Sequence, residues 1–221
     1  MEKIKKLKQY FSKEKIDGYI IPKNDEFFGE YIPDYNDRLN FISGFSGSYG
    51  FALILKKENY LFVDGRYTIQ ADNESGKFFK IITFPHKMPN DILKGKKLII
   101  GFDPKLFTTK TIKTFFGKNK CIFKPLRKNL IDKFWKRKIK KNQGLFYKLP
   151  ERSIGENYKS KINKIINNLK NRKADFHFIT ASENNAWLFN IRGQDAIYTP
   201  IPYSHVLIDQ NKNINFFCDL K

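Results

Sequence analysis

Apolar positions along the chain follow two different periods. Ile4, Leu7, Tyr10 and Phe11 fall at i, i+3, i+6 and i+7 with Lys on the opposite side, which predicts an amphipathic helix. The run Ile16-Asp17-Gly18-Tyr19-Ile20-Ile21-Pro22 predicts a strand: β-branched and aromatic residues surround Gly18, and Pro22 is a hard stop. A short apolar run, Leu39-Asn40-Phe41-Ile42, leads into a Gly/Ser loop over 43–50. Phe51-Ala52-Leu53-Ile54-Leu55 and Tyr60-Leu61-Phe62-Val63 flank the polar Lys56-Lys57-Glu58-Asn59, the pattern of a hairpin. Both arms are apolar without interruption, so both faces of that hairpin are expected to be covered. Further on, the sequence predicts a helix over 68–75 stopped by Gly76, and a strand over 78–84 ended by Pro85. A buried strand over 97–102 runs into Asp103-Pro104, and a helix from Thr108 to about Phe116 is closed by Gly117. A short strand over 120–124 stops at Pro125, and a last helix is expected over 130–139. Strands alternating with helices argue for an α/β fold, a mixed sheet flanked by helices.

The order then begins again. Ile162, Ile165, Ile166 and Leu169 are spaced as a helix, and Ala174-Asp175-Phe176-His177-Phe178-Ile179-Thr180 follows as a strand. Trp187-Leu188-Phe189-Asn190-Ile191 precedes Arg192-Gly193, and two strand-like runs over 204–208 and 214–219 close the chain. Each pass ends its hairpin on Phe-x-Asp, at Phe62-Val63-Asp64 and Phe217-Cys218-Asp219. The expectation is one complete domain over 1–147 and a partial second copy of the same fold over 153–221, divided near the polar stretch Lys-Lys-Asn-Gln-Gly.

Composition narrows the class. With 41% hydrophobic and 16% aromatic residues the chain is globular, and no apolar stretch reaches the roughly 20 residues of a membrane span. The charged start Met-Glu-Lys-Ile-Lys-Lys lacks the apolar region of a signal peptide, and Cys121 and Cys218 stand singly without metal-type spacing. These features point to a cytoplasmic protein without a membrane partner. The net charge of +20 is concentrated: 105–148 holds fifteen Lys and Arg against one acid, Asp132. Lys outnumbers Arg thirty-five to seven, whereas forked recognition of bases and phosphates favours Arg. A solvated basic face is the plainer reading, and no specific nucleic acid is expected as a partner.

Candidate chemistry is sparse. Gly44-Phe45-Ser46-Gly47-Ser48 nearly spells a nucleophile elbow, but its last position is Ser, and a strand follows where the elbow needs a helix. His86, His177 and His205 have no spacing that pairs them with an acid, and Asp175, Glu183, Asp195, Asp209 and Asp219 show no helical spacing with a histidine. No catalytic, cofactor-binding or metal residue is therefore assigned. The polar cluster Asp64-Gly65-Arg66-Tyr67 is first a turn capping a buried strand, although Arg66 has the reach to meet a carboxylate across an interface.

Several stretches, taken together, resemble the non-catalytic N-terminal region of three-domain Xaa-Pro aminopeptidases of the creatinase/aminopeptidase P/prolidase group. They are Asn24-Asp25-Glu26-Phe27 with Glu30-Tyr31, RLNFISGFSGSYG from Arg38, FVDGRYTIQAD from Phe62, and Gly101-Phe102-Asp103-Pro104. Asn129-Leu130-Ile131-Asp132-Lys133-Phe134-Trp135, NAWLFNIRG from Asn185 with Asp195, and Thr199-Pro200-Ile201-Pro202-Tyr203-Ser204 complete the set. His205 stands where the pattern more often has an aromatic residue. The resemblance implies a peptidase that removes the N-terminal residue preceding proline, using two divalent ions, typically manganese, held in a C-terminal domain absent from this sequence. It implies a homodimer in the full-length family, a peptide substrate only when that domain is present, and no activity for this chain alone. Arg66, Arg192 and Asp195 are the positions it marks for substrate approach or interface. The alternative from a different class is a stand-alone, non-enzymatic binding module that uses the basic 105–148 surface.

Overall fold

The computed structural model of the chain describes residues 1–137, 145–196 and 198–219. Its contacts divide it into two compact units, one of Met1–Glu26 with Asp34–Lys138 and the other of Phe27–Pro33 with Ile139–Lys221.

In the first unit, helix α1 (Glu2–Glu14) leads to β1 (Gly18–Pro22), α2 (Arg38–Ser43), the hairpin β2 (Phe51–Leu55) and β3 (Asn59–Asp64), then α3 (Thr68–Ser75) and β4 (Lys80–Phe84). Helix α4 (Pro89–Leu93), β5 (Ile99–Phe102), α5 (Thr109–Phe116) and β6 (Ile122–Pro125) complete it. The strands form one mixed sheet in the order β4-β3-β2-β1-β5-β6. Strand β1 runs antiparallel to β2 and parallel to β5, and β5 runs parallel to β6. The α1 stripe Ile4, Leu7 and Phe11 is buried, each full burial contributing about 1.5–3 kcal/mol. It packs with α2, α3 and the inward residues Tyr19, Ile21, Ala52, Ile54, Leu61 and Val63 on one face of the sheet. On the other face Ile20, Phe51, Leu53, Tyr60 and Phe62 meet Leu93 of α4 and Phe115 and Phe116 of α5. The sheet is thus covered on both faces, as the unbroken apolar arms of the hairpin predict.

The helix expected over 130–139 does not form in the described part of that stretch. Residues Ile131–Lys133 make a single 3-10 turn instead. Tertiary contacts override the local periodicity here. Asn129 Oδ1 accepts from the Ile131 N–H at 3.0 Å, Asp132 is drawn onto Arg38 at 2.9 Å, and Trp135 stacks on Phe41 with ring centroids 4.6 Å apart.

The second unit repeats the first half of this plan. Strand β7 (Tyr147–Lys148) precedes α6 (Tyr158–Arg172), β8 (Phe176–Ile179), α7 (Ser182–Phe189), β9 (Ile191–Arg192), β10 (Ser204–Asp209) and β11 (Ile214–Cys218). The sheet order β11-β10-β8 and its antiparallel register match β3-β2-β1 residue for residue. Phe217 lies opposite His205 as Phe62 lies opposite Phe51, and Phe178 opposite Leu207 as Ile20 opposite Leu53. Helix ends repeat as well. Lys15 and Lys173 both close their helices in the left-handed region (φ 53° and 52°), and the next N–H returns to Phe11 O and Leu169 O at 3.0 Å. Gly44 and Asn190 do the same for α2 and α7, at φ 85° and 55°. Ile162, Ile166, Ile179, Leu188, Val206 and Ile208 form the core of this unit. The segment Phe27–Pro33 belongs to it through rings: Phe27 stacks on Tyr203 at 4.4 Å and on His205 at 5.2 Å, and Tyr31 meets Tyr198 edge-on at 5.1 Å.

Candidate functional site

The order of the six-stranded sheet creates a crevice. From β1 the chain passes through α2 on one face and builds β2, β3 and β4 outward on one side. It then returns to the other side of β1 to lay down β5, and leaves that strand through α5 on the opposite face to reach β6. The connections after β1 and β5 therefore diverge, and such a switch point opens a crevice beyond the carboxyl ends of the strands. A concavity of about 330 Å³ lies there, lined by Glu26 after β1, Asp103 and Lys105 after β5, and Arg127, Lys128, Asn129, Asp132 and Lys133 after β6.

Its wall is tightly specified. Asn129 is 6% exposed and donates through Nδ2 to Asp103 Oδ2 at 2.9 Å, while Asp103 Oδ1 accepts from the Lys105 N–H at 3.0 Å. Asn24 Nδ2 donates to Leu106 O at 3.0 Å and ties the loop after β1 to the loop after β5. Arg38, with a side chain only 1% exposed, joins two lining acids. It donates from Nε and Nη2 to both oxygens of Asp132 (2.9 and 3.1 Å) and from Nη2 to Glu26 at 2.8 Å. Arg137 also donates to Asp132 and reaches Asn36 Oδ1 at 3.0 Å. Burial alone lowers the Arg38 pKa, but Asp132 and Glu26 outweigh it and hold the guanidinium above its ordinary value. Burial raises the Asp132 pKa, and Arg38 and Arg137 more than reverse this, so its carboxyl sits below 3.8. The two arginines thus engage Asp132, and Arg38 engages Glu26. Lys133 pairs with Glu14 outside the crevice. Lys105, Arg127 and Lys128 have no ion-pair partner among the described residues.

In the second unit a concavity of about 390 Å³ is mostly apolar, walled by Phe146, Leu149, Ile154, Tyr158, Phe189 and Phe216. Beside it Lys161, 5% exposed, donates to Trp187 O and Asn190 Oδ1, both at 2.6 Å, and lies 4.0 Å from the Trp187 ring centre. Burial pushes its pKa down. These bonds fix the end of α7 to α6.

The residues marked in the sequence are placed as follows. Arg66 folds back on Asp64, donating from Nη2 at 2.7 Å and from Nε at 3.1 Å, and its side chain is largely exposed. Arg192 donates to Ile191 O at 2.8 Å, and Asp195 accepts from the Tyr203 N–H at 2.9 Å. Arg192 and Asp195 share the second unit without an ion pair between them among the described residues. Ser46 of the near-elbow loop donates to Glu74 Oε1 at 2.7 Å and meets no histidine among the described residues, so its glycines serve a turn into β2. Among the described residues no three His, Cys, Asp or Glu side chains converge to hold a metal ion. These residues do not fit the pair of divalent ions that the resemblance implies.

The crevice side chains not singled out in the sequence are Arg38, Lys105, Arg127 and Lys128. One signal was available: Arg is scarce in this chain, seven against thirty-five Lys, and Arg38 is one of the few that forks onto a carboxylate.

Residues 3–131 match the family described as the Creatinase/Prolidase N-terminal domain, and residues 137–221 match a second family of the same description. The chain is 31% identical over 240 residues to Xaa-Pro aminopeptidase app-1 of Caenorhabditis elegans, covering 99% of this chain and 38% of that protein. It is 32% identical over 218 residues to a probable Xaa-Pro aminopeptidase P of Aspergillus niger, covering 94% and 35%. The crystal structure of X-prolyl aminopeptidase from C. elegans, described as a cytosolic enzyme with a di-nuclear active site, superposes with a TM-score of 0.86 at 29% identity over 99% of this chain and 38% of that one. The chain spans little more than a third of the length of these relatives. It belongs to the creatinase/prolidase N-terminal domain family and corresponds to the N-terminal region of Xaa-Pro aminopeptidases.

Proposed function

We propose that this chain is the non-catalytic front region of an Xaa-Pro aminopeptidase, an enzyme that removes the N-terminal residue of peptides with proline in second position. The observation that carries this reading is the match of 99% of the chain, across both repeats, to 38% of a solved X-prolyl aminopeptidase. On this reading two divalent ions, manganese by family resemblance, are held outside the matched region. The two units then serve homodimer formation and access to the active site in a cytoplasmic enzyme, with Arg66, Arg192 and Asp195 at the substrate approach or an interface. Purified chain with manganese and an Xaa-Pro peptide should release no N-terminal residue above buffer. Turnover that survives removal of contaminating peptidases and tracks the chain contradicts the reading. Peptide mapping of the protein from its native source should recover sequence beyond Lys221 carrying a set of Asp, His and Glu metal ligands.

A second reading, a free-standing binding module with a basic surface, draws support from three crevice cations that have no ion-pair partner among the described residues, Lys105, Arg127 and Lys128. Duplex DNA separates it from the first. If the basic face is only solvated, DNA binding at physiological salt is no tighter than about micromolar and indifferent to sequence. Log K then falls against log salt with a slope of about 0.9 per neutralised phosphate. Nanomolar affinity or a clear sequence preference favours the module.

A further inference from the structure

We infer that the switch-point crevice of the first unit binds a phosphate-type dianion, either free phosphate or the phosphate of a small phosphomonoester. Three independent features meet there. The topology places the crevice beyond the carboxyl ends of the parallel strands β1, β5 and β6, where ligands of open α/β sheets are bound. Its volume of about 330 Å³ suits a small ligand. Its charge is unbalanced in one direction. Glu26 and Asp132 are neutralised by Arg38 and Arg137, and Lys133 by Glu14. This leaves Lys105, Arg127 and Lys128 against the carboxylate of Asp103, a local surplus of two positive charges.

The chemistry of the donors selects the ligand. Asp103 is turned inward by Asn129 and by the Lys105 N–H, so its two oxygens are engaged by the wall. Arg127 offers a planar fork that fits two oxygens of a phosphate, and Lys105 and Lys128 add point charges from two different loops. A dianion matches the surplus, whereas a monocarboxylate leaves one cation uncompensated. Arg127 and Lys128 come two and three residues after β6 and Lys105 three residues after β5, so strands within one sheet set the spacing of the three groups. The wall behind them is rigid, because the buried Arg38 fixes Glu26 and Asp132 in place.

The test is a titration of the full chain with inorganic phosphate at constant ionic strength, followed by calorimetry and by the NMR shifts of the Asn129 side-chain amide and the Lys105 N–H. Saturable binding of one phosphate per chain is expected, with acetate much weaker. Arg127→Ala and Lys128→Ala should each weaken binding about tenfold, the scale of one charge-assisted hydrogen bond. Lys110→Ala, which removes the same charge from α5 outside the crevice, should leave it unchanged. A phosphomonoester such as glycerol phosphate distinguishes the two sources: tighter binding than inorganic phosphate assigns the site to an esterified ligand, and equal binding to free phosphate. All three variants change solvent-exposed residues, so circular dichroism should show each of them folded. Absence of saturation, or equal weakening by Lys110→Ala and Arg127→Ala, overturns the proposal and returns the charge to a diffuse basic face.

Discussion

Phe62 and Phe217 hold the same place in two copies of one hairpin, each two residues before the closing aspartate. Phe62 is 0% exposed and Phe217 is 52% exposed. The contrast extends over much of the outer face, although Phe27 stacks on His205 there. Where the first unit sets Ile20, Phe51, Leu53 and Phe62 under α4 and α5, the second sets Phe178, His205, Leu207 and Phe217, and among the described residues no helix packs over them. Phe176 and Phe178 of β8 are 60% and 55% exposed. The inner faces, by contrast, are alike: α6 and α7 cover Ile179, Val206 and Ile208 as α1 and α2 cover the equivalent strands. An antiparallel sheet stands with one face covered, a second covered face adds further buried apolar contacts, and the two units differ in the second.

That difference can be tested by substitution. Phe62→Ala removes a ring packed between Phe51, stacked at 4.7 Å, and the surrounding cluster, and should cost about 3–5 kcal/mol. Phe217→Ala at the equivalent position should change stability by no more than about 1 kcal/mol. Chemical denaturation of the two variants, followed by probes local to each unit, decides this. Equal losses would show that the outer face of the second unit is as well buried as that of the first.

Polar anchoring differs in the same direction. Arg38→Ala in the first unit breaks a bidentate buried pair and should cost about 3 kcal/mol, near the lower end for such pairs because Asp132 keeps a third of its surface in water. Lys161→Met in the second unit leaves Trp187 O and Asn190 Oδ1 without their donor and should cost about 1–2 kcal/mol. A larger loss at Lys161 than at Arg38 would invert the comparison.

The smallest effect is the pH dependence that Asp132 contributes in the first unit. The carboxyl of Asp132 sits below its ordinary value of 3.8 in the fold, so its contribution is fully present above that pH and is lost as pH falls through the folded value. The stability gap between the native chain and Asp132→Asn should therefore close in acid. A gap that stays constant from neutral pH to well below 3.8 contradicts the Arg38–Asp132 account.

The sequence carried most of the elements, because long apolar stripes and Gly or Pro stops are local signals. The α1 stripe, the hairpin and its repeat, and the Thr108 and Gly117 boundaries of α5 all read directly. Helix α2 read only as a short apolar run, since its Asp37 cap and its Gly44 stop enclose just six residues. Helix α4, five residues opened by Pro89, gave no periodic signal at all. The membership of Phe27–Pro33 in the second unit depends on ring stacking against residues more than 160 positions away, which no window reveals. The crevice was equally hidden, because its lining comes from three loops and its anchor, Arg38, reads as the polar head of an apolar run.

Hydrogen exchange of the full chain in dilute, monomeric solution tests the central contrast most directly. If two covered faces lock one sheet and a single covered face leaves the other open to local fluctuation, the amides of β2 and β3 should exchange only by global unfolding, while those of β8 and β11 should exchange much faster by local opening. Equal protection of Leu53 and Leu61 on one side and Phe178 and Phe216 on the other would contradict the account.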